Sequence, residues 1–201
     1  MKFQFEMNIF FDTMSTTTRR IYTKDVMIDI ETLSTRPNAA IVSIGAIKFN
    51  RNTEVPRLED MNQFYVRVSR ESCETTGMHV DPATIEWWSK QDRDIRYEAL
   101  ENPIDRLTIK DALMKLAEWF KGTQYIWGHG DDFDCVVLSE AYKLCDMKVP
   151  WDFWNTRDTR TLFDIAGIRN SDLPANDKHH PIHDCYRQIV GVRKALSSLN
   201  K

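Results

Sequence analysis

The stretch VMIDI, Val26–Ile30, begins the part of the chain that decides the fold. Two similar runs follow it, AIVSIGAIKF at Ala40–Phe49 and NQFYVRV at Asn62–Val68. Each run is short and rich in β-branched and aromatic residues, a composition typical of strands. Turn-forming residues separate the runs, at Pro37-Asn38 and in the segment 50–56. We predict three strands that follow one another as a meander.

Helical periodicity appears after the third strand and alternates with two further strands. Asp81-Pro82 predicts a helix start, because aspartate caps helices and proline suits their first position. The remaining predicted elements are a helix from Thr108 to Gly122, the strand QYIWG (Gln124–Gly128) with a helix after it, a short strand at Phe153–Arg157, a helix from near Thr159, and a last helix from about His183 to Leu199. This order predicts an α/β fold with one mixed sheet flanked by helices.

The composition is that of one globular domain, with 201 residues, 42% hydrophobic content and a formal net charge of −3. Residues 1–24 fit the strand and helix plan poorly, because MSTTTRR (Met14–Arg20) is polar and precedes the first strand. We expect them to form an N-terminal extension, and a flexible extension would be consistent with this composition. Residues 25–201 are expected to form the domain. Whether residues 1–13 belong to the natural protein is not decided by the sequence.

Several classes of protein are excluded by charge, hydropathy and cysteine spacing. The negative net charge argues against binding nucleic acid by charge alone. No apolar run approaches the roughly 20 residues of a membrane span, so we expect a soluble protein that does not associate with membranes. The four cysteines show no close-paired spacing, which argues against a zinc ribbon and a redox motif.

Asp29 and Glu31 stand at positions i and i+2 at the end of the first strand, and strand geometry points both carboxylates to the same side. Two acids on one side of a strand repel, and a hard divalent cation such as magnesium would neutralise them. The alternative is that the strand has ended and both acids are solvated. For the pattern alone, solvation is the commoner outcome.

Asp134 lies in GHGDDFDCVVL (Gly128–Leu138), at the start of a helix that follows a buried strand. Active sites of open α/β sheets occur where strands lead into helices. Asp131 and Asp132 compete with Asp134 for a functional role, although an isolated aspartate here is more often a helix cap. We favour Asp134, because Phe133 and the valines after it draw its turn toward the core.

His179 precedes Asp184 by five residues in KHHPIHDCYRQIV (Lys178–Val190). A histidine with a pKa near ~6.5 can accept a proton from water at neutral pH, so we predict a base beside a metal-binding acid. His179, His180 and His183 also suggest a transition-metal site. We give that alternative less weight, because no second cluster of histidines or cysteines completes it.

These three motifs, in this order, resemble the 3′-to-5′ exonucleases with four acids and a histidine (DEDDh), within the ribonuclease H-like superfamily that includes RNase T. DIET (Asp29–Thr32), GHGDDFD (Gly128–Asp134) and HHPIHD (His179–Asp184) match the three motifs, over about Asp25–Leu199. A closer resemblance is to phage exonuclease A and related bacterial exoribonucleases. It rests on WGHGDDFD, on DPATIEWWSKQ (Asp81–Gln91) and on NTRDTRTL (Asn155–Leu162).

The resemblance implies a five-stranded mixed sheet with a third strand antiparallel, and two magnesium or manganese ions. The implied metal ligands are Asp29, Glu31, Asp134 and Asp184, and His179 is the implied base that acts on the attacking water. Cleavage at 3′ ends of single-stranded nucleic acid would release nucleoside 5′-monophosphates. The implied contacts to the terminal nucleotide come from Glu31, Thr32 and Leu33.

Several properties stay open at this stage. The resemblance to RNase T-like enzymes favours a homodimer, whereas a resemblance to phage enzymes favours a monomer. The sequence does not decide whether the substrate is DNA or RNA. We expect a cytoplasmic protein, in the host cytoplasm if phage-encoded. For Trp87 and Trp88, the alternatives are stacking on bases and burial of one ring in the core. Arg157, Asp158 and Arg160 are candidates for contact with phosphate, and the alternative is that Asp158 or Thr159 caps the following helix.

Two other functions are alternatives to a nuclease. A catalytically idle module of the same fold would bind nucleic acid or a partner without cutting, but such relatives are expected to lose an acid or the histidine. A metal-dependent nucleotide phosphatase would release inorganic phosphate instead of a nucleoside monophosphate.

Overall fold

The structure is a computed structural model that describes residues 23–175 and 179–200, without the side chain of Asp131. Nearly all of the predicted N-terminal extension, residues 1–24, lies outside these described residues. The extension therefore stays a prediction. None of the helices within the described residues is long and apolar enough to cross a membrane.

The described chain contains one six-stranded sheet with the strand order β4-β3-β2-β1-β5-β6. Strand β2 is antiparallel to both β1 and β3, whereas β5 is parallel to β1, β6 to β5, and β4 to β3. The strands are β1 (Asp25–Thr32), β2 (Ile41–Phe49), β3 (Asn62–Val68), β4 (Arg106–Leu107), β5 (Tyr125–Gly128) and β6 (Thr156–Asp158). β1 therefore lies near the middle of the sheet.

Helices cover both faces of the sheet. The helices are α1 (Arg70–Thr75), α2 (Pro82–Ser89), α3 (Arg93–Arg96, continued by a π-helical turn at Tyr97–Glu101), α4 (Ile109–Phe120), α5 (Asp131–Leu144), α6 (Thr159–Ala166) and α7 (Pro181–Leu199). The predicted cap of α2 is confirmed, because the Asp81 side chain accepts from the Ala83 N–H. The Thr108 side chain caps α4 in the same way and accepts from the Asp111 N–H.

The predicted α/β class and the mixed sheet are confirmed, and three details are corrected. The sheet has six strands rather than five, because the two-residue β4 adds an edge strand that is too short to leave a sequence pattern. The strand that runs against its neighbours is the second, not the third. The last helix begins at Pro181, two residues before the predicted start at His183.

The two faces of β1 belong to different parts of the core. Val26, Ile28 and Ile30 pack with α4 and α5, whereas Met27 packs with buried residues of α6 and α7. Because side chains alternate along a strand, Asp29 and Glu31 point to the Met27 face. The last two acids of β1 therefore face α7.

Gly45 allows α7 to begin close to the sheet. Gly45 is paired with Asp29 in the β1–β2 register. A Cβ atom at Gly45 would lie 2.5 Å from Pro181 Cβ and 2.9 Å from the Pro181 carbonyl carbon. Since backbone atoms cannot yield at such a distance without a shift, glycine at this position lets the first turn of α7 cross directly above Asp29.

Candidate metal centre

Three carboxylates from two elements meet at the end of β1. Oxygen atoms of Asp29, Glu31 and Asp184 all lie within 4.8 Å of one another, and each residue is half-buried. Asp29 and Glu31 come from β1, as their spacing predicts, and Asp184 comes from the first turn of α7. This arrangement provides oxygen ligands on two rigid elements, which hard divalent cations prefer.

Asp134 lies beside this group, on the first turns of α5. Its side chain is 6% exposed, and its Oδ1 accepts a hydrogen bond of 3.3 Å from the Ile30 N–H. Ile30 separates Asp29 from Glu31 in the chain, so this bond joins α5 to the acidic end of β1. Asp132, the competing acid, is exposed. The burial favours Asp134 over Asp132 as the acid that belongs to the site.

Burial and mutual repulsion disfavour the charged forms of these acids. Desolvation raises the pKa of Asp29 well above its ordinary value, and the charges of Asp134, Glu31 and Asp184 raise it further. Desolvation likewise raises the Glu31 pKa well above its usual range, with contributions from Asp184 and Asp134. Burial raises the pKa of Asp134 to about 7. A bound divalent cation would offset both effects, because it places positive charge among the carboxylates.

His179 is tied to the same group through its backbone. The His179 N–H donates to Asp184 Oδ2 over 3.1 Å, and the residue has a φ of +62°. A non-glycine residue with positive φ is strained by about 1–3 kcal/mol, so the surroundings must hold it. The ring meets Trp87 edge to face, with centroids 5.1 Å apart. The predicted base thus lies next to a predicted ligand, in a conformation fixed on two sides.

The three histidines of the loop do not form one cluster. The His180 and His183 rings are 4.6 Å apart, and His180 stacks on Tyr65. Among residues 23–175 and 179–200, the group of potential ligands close enough to share an ion consists of acids alone. The geometry therefore favours a carboxylate site over the transition-metal alternative.

The tandem tryptophans divide their roles as the helical spacing predicts. Trp88 is 1% exposed and its indole N–H donates to the Thr32 carbonyl over 2.9 Å, whereas Trp87 is 43% exposed. The exposed ring borders a cavity of about 500 Å³ that is also lined by Glu31, Thr32 and Phe133. One aromatic ring is therefore accessible beside the acids.

The three residues predicted to contact the terminal nucleotide differ in whether they border the cavity. Glu31 and Thr32 line the cavity. Leu33 is 2% exposed and packs in the core with Ile41 and other apolar residues. A contact between Leu33 and a base therefore stays an untested prediction, since the side chain would first have to be uncovered.

The segment NTRDTRTL connects the sheet to the turn before α5. Asp158 caps α6 through the Arg160 and Thr161 N–H groups and also accepts from the Gly130 N–H over 3.0 Å. Arg157 donates to the carbonyl groups of Trp154 and Thr156, 3.0 Å and 2.6 Å away. Both residues therefore have structural partners. Helix capping by Asp158 is the outcome that sequence reasoning left open.

Arg160 is different, because its guanidinium lies on an exposed edge of the site. A Cβ atom at Gly130 would lie 2.6 Å from Arg160 Nη1, which places the guanidinium flat against this glycine of φ +93°. Burial raises the pKa of Asp134, and the positive charge of Arg160 opposes this rise. Among the described side chains, Arg160 has no salt-bridge partner. A cation thus borders the acids.

Gln188 is the residue of the site that sequence reasoning missed. Its Nε2 donates to Asp29 Oδ1 over 3.1 Å. The only sequence feature that could have indicated it is its position four residues after Asp184, which places both side chains on one face of α7.

Comparison with known families agrees with this geometry. Residues 24–196 match the model of the 3′-5′ exoribonuclease Rv2179c-like domain. The chain belongs to this family. The exonuclease is also similar to an exodeoxyribonuclease of Enterobacteria phage T4, with 25% identity over 202 residues, 86% of this chain and 88% of the phage protein.

The fold also resembles that of a solved structure at low sequence identity. The structure of S. pombe Pop2p in its Mg²⁺ and Mn²⁺ bound form superposes with a TM-score of 0.50 and 12% identity, covering 85% of this exonuclease and 82% of that chain. At this identity the likeness supports the fold alone. Family membership, by contrast, identifies the protein as a 3′-5′ exonuclease.

We predict that Asp29→Asn stabilises the metal-free exonuclease at pH 7.5, raising its melting temperature by roughly 2–4 °C for each kcal/mol gained. Because the Asp29 pKa is higher in the folded state, the Asp29 carboxyl ionises at a lower pH in the unfolded state than in the folded state. The metal-free wild type therefore loses stability as pH rises from near 4 through the raised folded-state pKa. The gain of the variant over the wild type should therefore grow with pH.

Thermal melting with EDTA or Mn²⁺ between pH 4 and 8 measures both effects. Mn²⁺ should raise the melting temperature of the wild type much more than that of Asp29→Asn. Asp132→Asn, which removes an exposed acid of the same motif, is the matched control and should keep the Mn²⁺ response. A less stable metal-free Asp29→Asn with a full Mn²⁺ response would contradict the account.

Proposed function

We propose that this exonuclease is of the DEDDh type and hydrolyses single-stranded nucleic acid from its 3′ end to nucleoside 5′-monophosphates. The observation that carries the proposal is the meeting of Asp29, Glu31 and Asp184 oxygens within 4.8 Å, with His179 bonded to Asp184 through its backbone. Four acids and a histidine from three separate motifs thus converge at one end of β1.

The donor set fits two divalent cations of the magnesium or manganese type. All the candidate ligand atoms are carboxylate oxygens, and Asp29, Glu31, Asp134 and Asp184 would hold the ions. When bound, such ions lower the pKa of water and stabilise negative charge on the leaving 3′ oxygen. The Pop2p structure, which contains Mg²⁺ and Mn²⁺, supports this choice by analogy of fold only.

His179 would act as the general base. Its imidazole accepts the proton of the attacking water, while the backbone bond to Asp184 keeps the residue beside the acids. The edge contacts with Trp87 and Trp88 restrict rotation of the ring. Restricted rotation matters, since a base contributes only when it lies within hydrogen-bond reach of the water.

The cavity beside the acids would take the terminal nucleotide. Glu31 and Thr32 lie on its polar side, and Trp87 and Phe133 supply aromatic surface for a base. Aromatic stacking tolerates any base, as an exonuclease without sequence preference requires. The family is described as exoribonuclease and the phage relative as exodeoxyribonuclease, so both sugars are candidate substrates.

Arg160 would contact a phosphate of the strand. It is exposed, and among the described side chains no acid forms a salt bridge with it. Its guanidinium is held against Gly130 at the start of α5. Arginine binds phosphate through paired N–H groups, so this position would attract the backbone to an otherwise acidic site.

We expect the wild type to shorten 5′-labelled single-stranded oligonucleotides from the 3′ end in Mg²⁺ or Mn²⁺ and not in EDTA. His179→Ala should lower the rate about 100- to 10,000-fold, the usual contribution of a general base, and Asp29→Asn should lose activity at low Mn²⁺. Gel analysis of matched DNA and RNA strands measures the rate and the preferred sugar.

Asp132→Asn, which removes an exposed acid of the second motif, is the control. Product analysis by chromatography separates the alternatives. Nucleoside monophosphate supports the proposal, and inorganic phosphate from free nucleotides supports a phosphatase. Retained binding with intact strands under every condition would replace the proposal with an idle binding module.

For Arg160→Ala, we expect KM for oligonucleotides to rise roughly 10-fold or more, the equivalent of one lost charge-assisted hydrogen bond. The dependence of binding on salt should become shallower by about one phosphate contact. Arg169→Ala, which removes an exposed arginine paired with Asp172, is the control. An unchanged KM and an unchanged salt dependence would exclude Arg160 from the phosphate path.

A further inference from the structure

Gln188 is a buried polar residue of α7 that touches the acidic site from behind. It is 7% exposed, and its neighbours on the helix, Cys185, Ile189 and Val192, are buried and apolar. An amide in such surroundings costs free energy unless it is hydrogen-bonded, whereas methionine or leucine would fill the same space without that cost. Packing alone therefore does not account for glutamine at this position.

Among the described residues, the amide makes one hydrogen bond, and its partner is a candidate metal ligand. Gln188 Nε2 donates to Asp29 Oδ1 over 3.1 Å. The bond fixes one oxygen of the carboxylate and so determines where the second oxygen points. Asp184 lies one turn earlier on the same face of α7, so a single helix supplies one acid and orients another.

The other half of the amide has no hydrogen-bond partner in the described part of the chain. Gln188 Oε1 is buried and accepts no hydrogen bond from any of the described residues. Leaving a buried acceptor unpaired costs about 1–3 kcal/mol. A water molecule of a hydrated cation would satisfy this oxygen, since such water is a strong donor.

The neutrality of the amide suits this position. A lysine or arginine would also bond to Asp29, but its positive charge would repel a cation from the site. A glutamate would add a further negative charge to acids that already repel one another. An amide supplies a donor to the carboxylate without either electrostatic penalty.

We infer that Gln188 is a positioning residue that orients the Asp29 carboxylate toward a divalent cation. The inference rests on the proposed function, because it assumes that Asp29 is a metal ligand. Residues that hold metal ligands from outside typically contribute 10- to 100-fold to metal affinity. Gln188 acts through Asp29 and does not itself touch the substrate.

The test compares Gln188→Met with Val192→Ala. Methionine retains the length of the side chain and removes the donor. Val192 is fully buried one turn further along α7, so its truncation disturbs packing without changing the bond to Asp29. Mn²⁺ binding by calorimetry and metal-free melting temperature are measured for both variants and the wild type.

We expect Gln188→Met to bind Mn²⁺ about 10-fold or more weakly and to keep its melting temperature, because it also removes the unpaired oxygen. Val192→Ala should show the opposite: a lower melting temperature and unchanged Mn²⁺ affinity. In oligonucleotide cleavage, saturating Mn²⁺ should restore kcat of Gln188→Met toward that of the wild type.

Three results would overturn the inference, and they are distinguishable. Equal Mn²⁺ affinity of the wild type and Gln188→Met would reject the positioning role and leave the proposed function intact. Absence of Mn²⁺ binding by the wild type would reject both. A parallel loss of affinity in Val192→Ala would show that packing of α7, not the amide, sets the affinity.

Discussion

Repulsion among enclosed carboxylates is the constraint on which the functional end of this protein depends. Asp29, Glu31 and Asp184 bring their oxygens within 4.8 Å, and Asp134 lies buried beside them. For Asp29, Glu31 and Asp134, the cost of carrying a charge in the metal-free protein is seen in pKa values that burial and neighbouring acids raise. A fold retains such an arrangement when a cation compensates it, so stability and function are linked at this site.

The rest of the architecture places and holds these acids. The central position of β1 anchors two of them, and Gly45 lets α7 approach closely enough for Asp184 to reach the same point. On the other side, the bond from Gly130 to Asp158 ties the start of α5 to β6, and Ile30 bonds to Asp134. Three elements that are distant in sequence therefore converge through backbone contacts, which are more rigid than contacts between long side chains.

Much of this site was predictable, because it follows from short-range periodicity. The two-residue period of a strand places Asp29 and Glu31 together, and the helical spacing of the tandem tryptophans indicates that one ring is buried, without saying that it is Trp88. Asp134 was separable from Asp132 because the apolar residues around it draw its turn of helix toward the core, although one of them, Val136, is exposed. The mixed α/β sheet followed from the order of the periodic segments.

What escaped prediction depends on long-range contacts. The edge strand β4 has two residues, and the π-helical turn after α3 has no pattern of its own. Gln188 resembles an ordinary polar position of a helix until the fold sets it beside Asp29. Gln188 is recognisable as part of the site only through its hydrogen bond to Asp29, which lies 159 positions away in the chain.

The most direct test of the central claim is the anomalous scattering of manganese in crystals of the wild type grown with Mn²⁺. We expect a strong anomalous peak within ligand distance of Asp29, Glu31 and Asp184. A second peak beside the first would correspond to the second ion. Crystals that diffract well and show no manganese among these carboxylates at saturating Mn²⁺ would contradict the assignment of a metal centre, and with it the mechanism built on these acids.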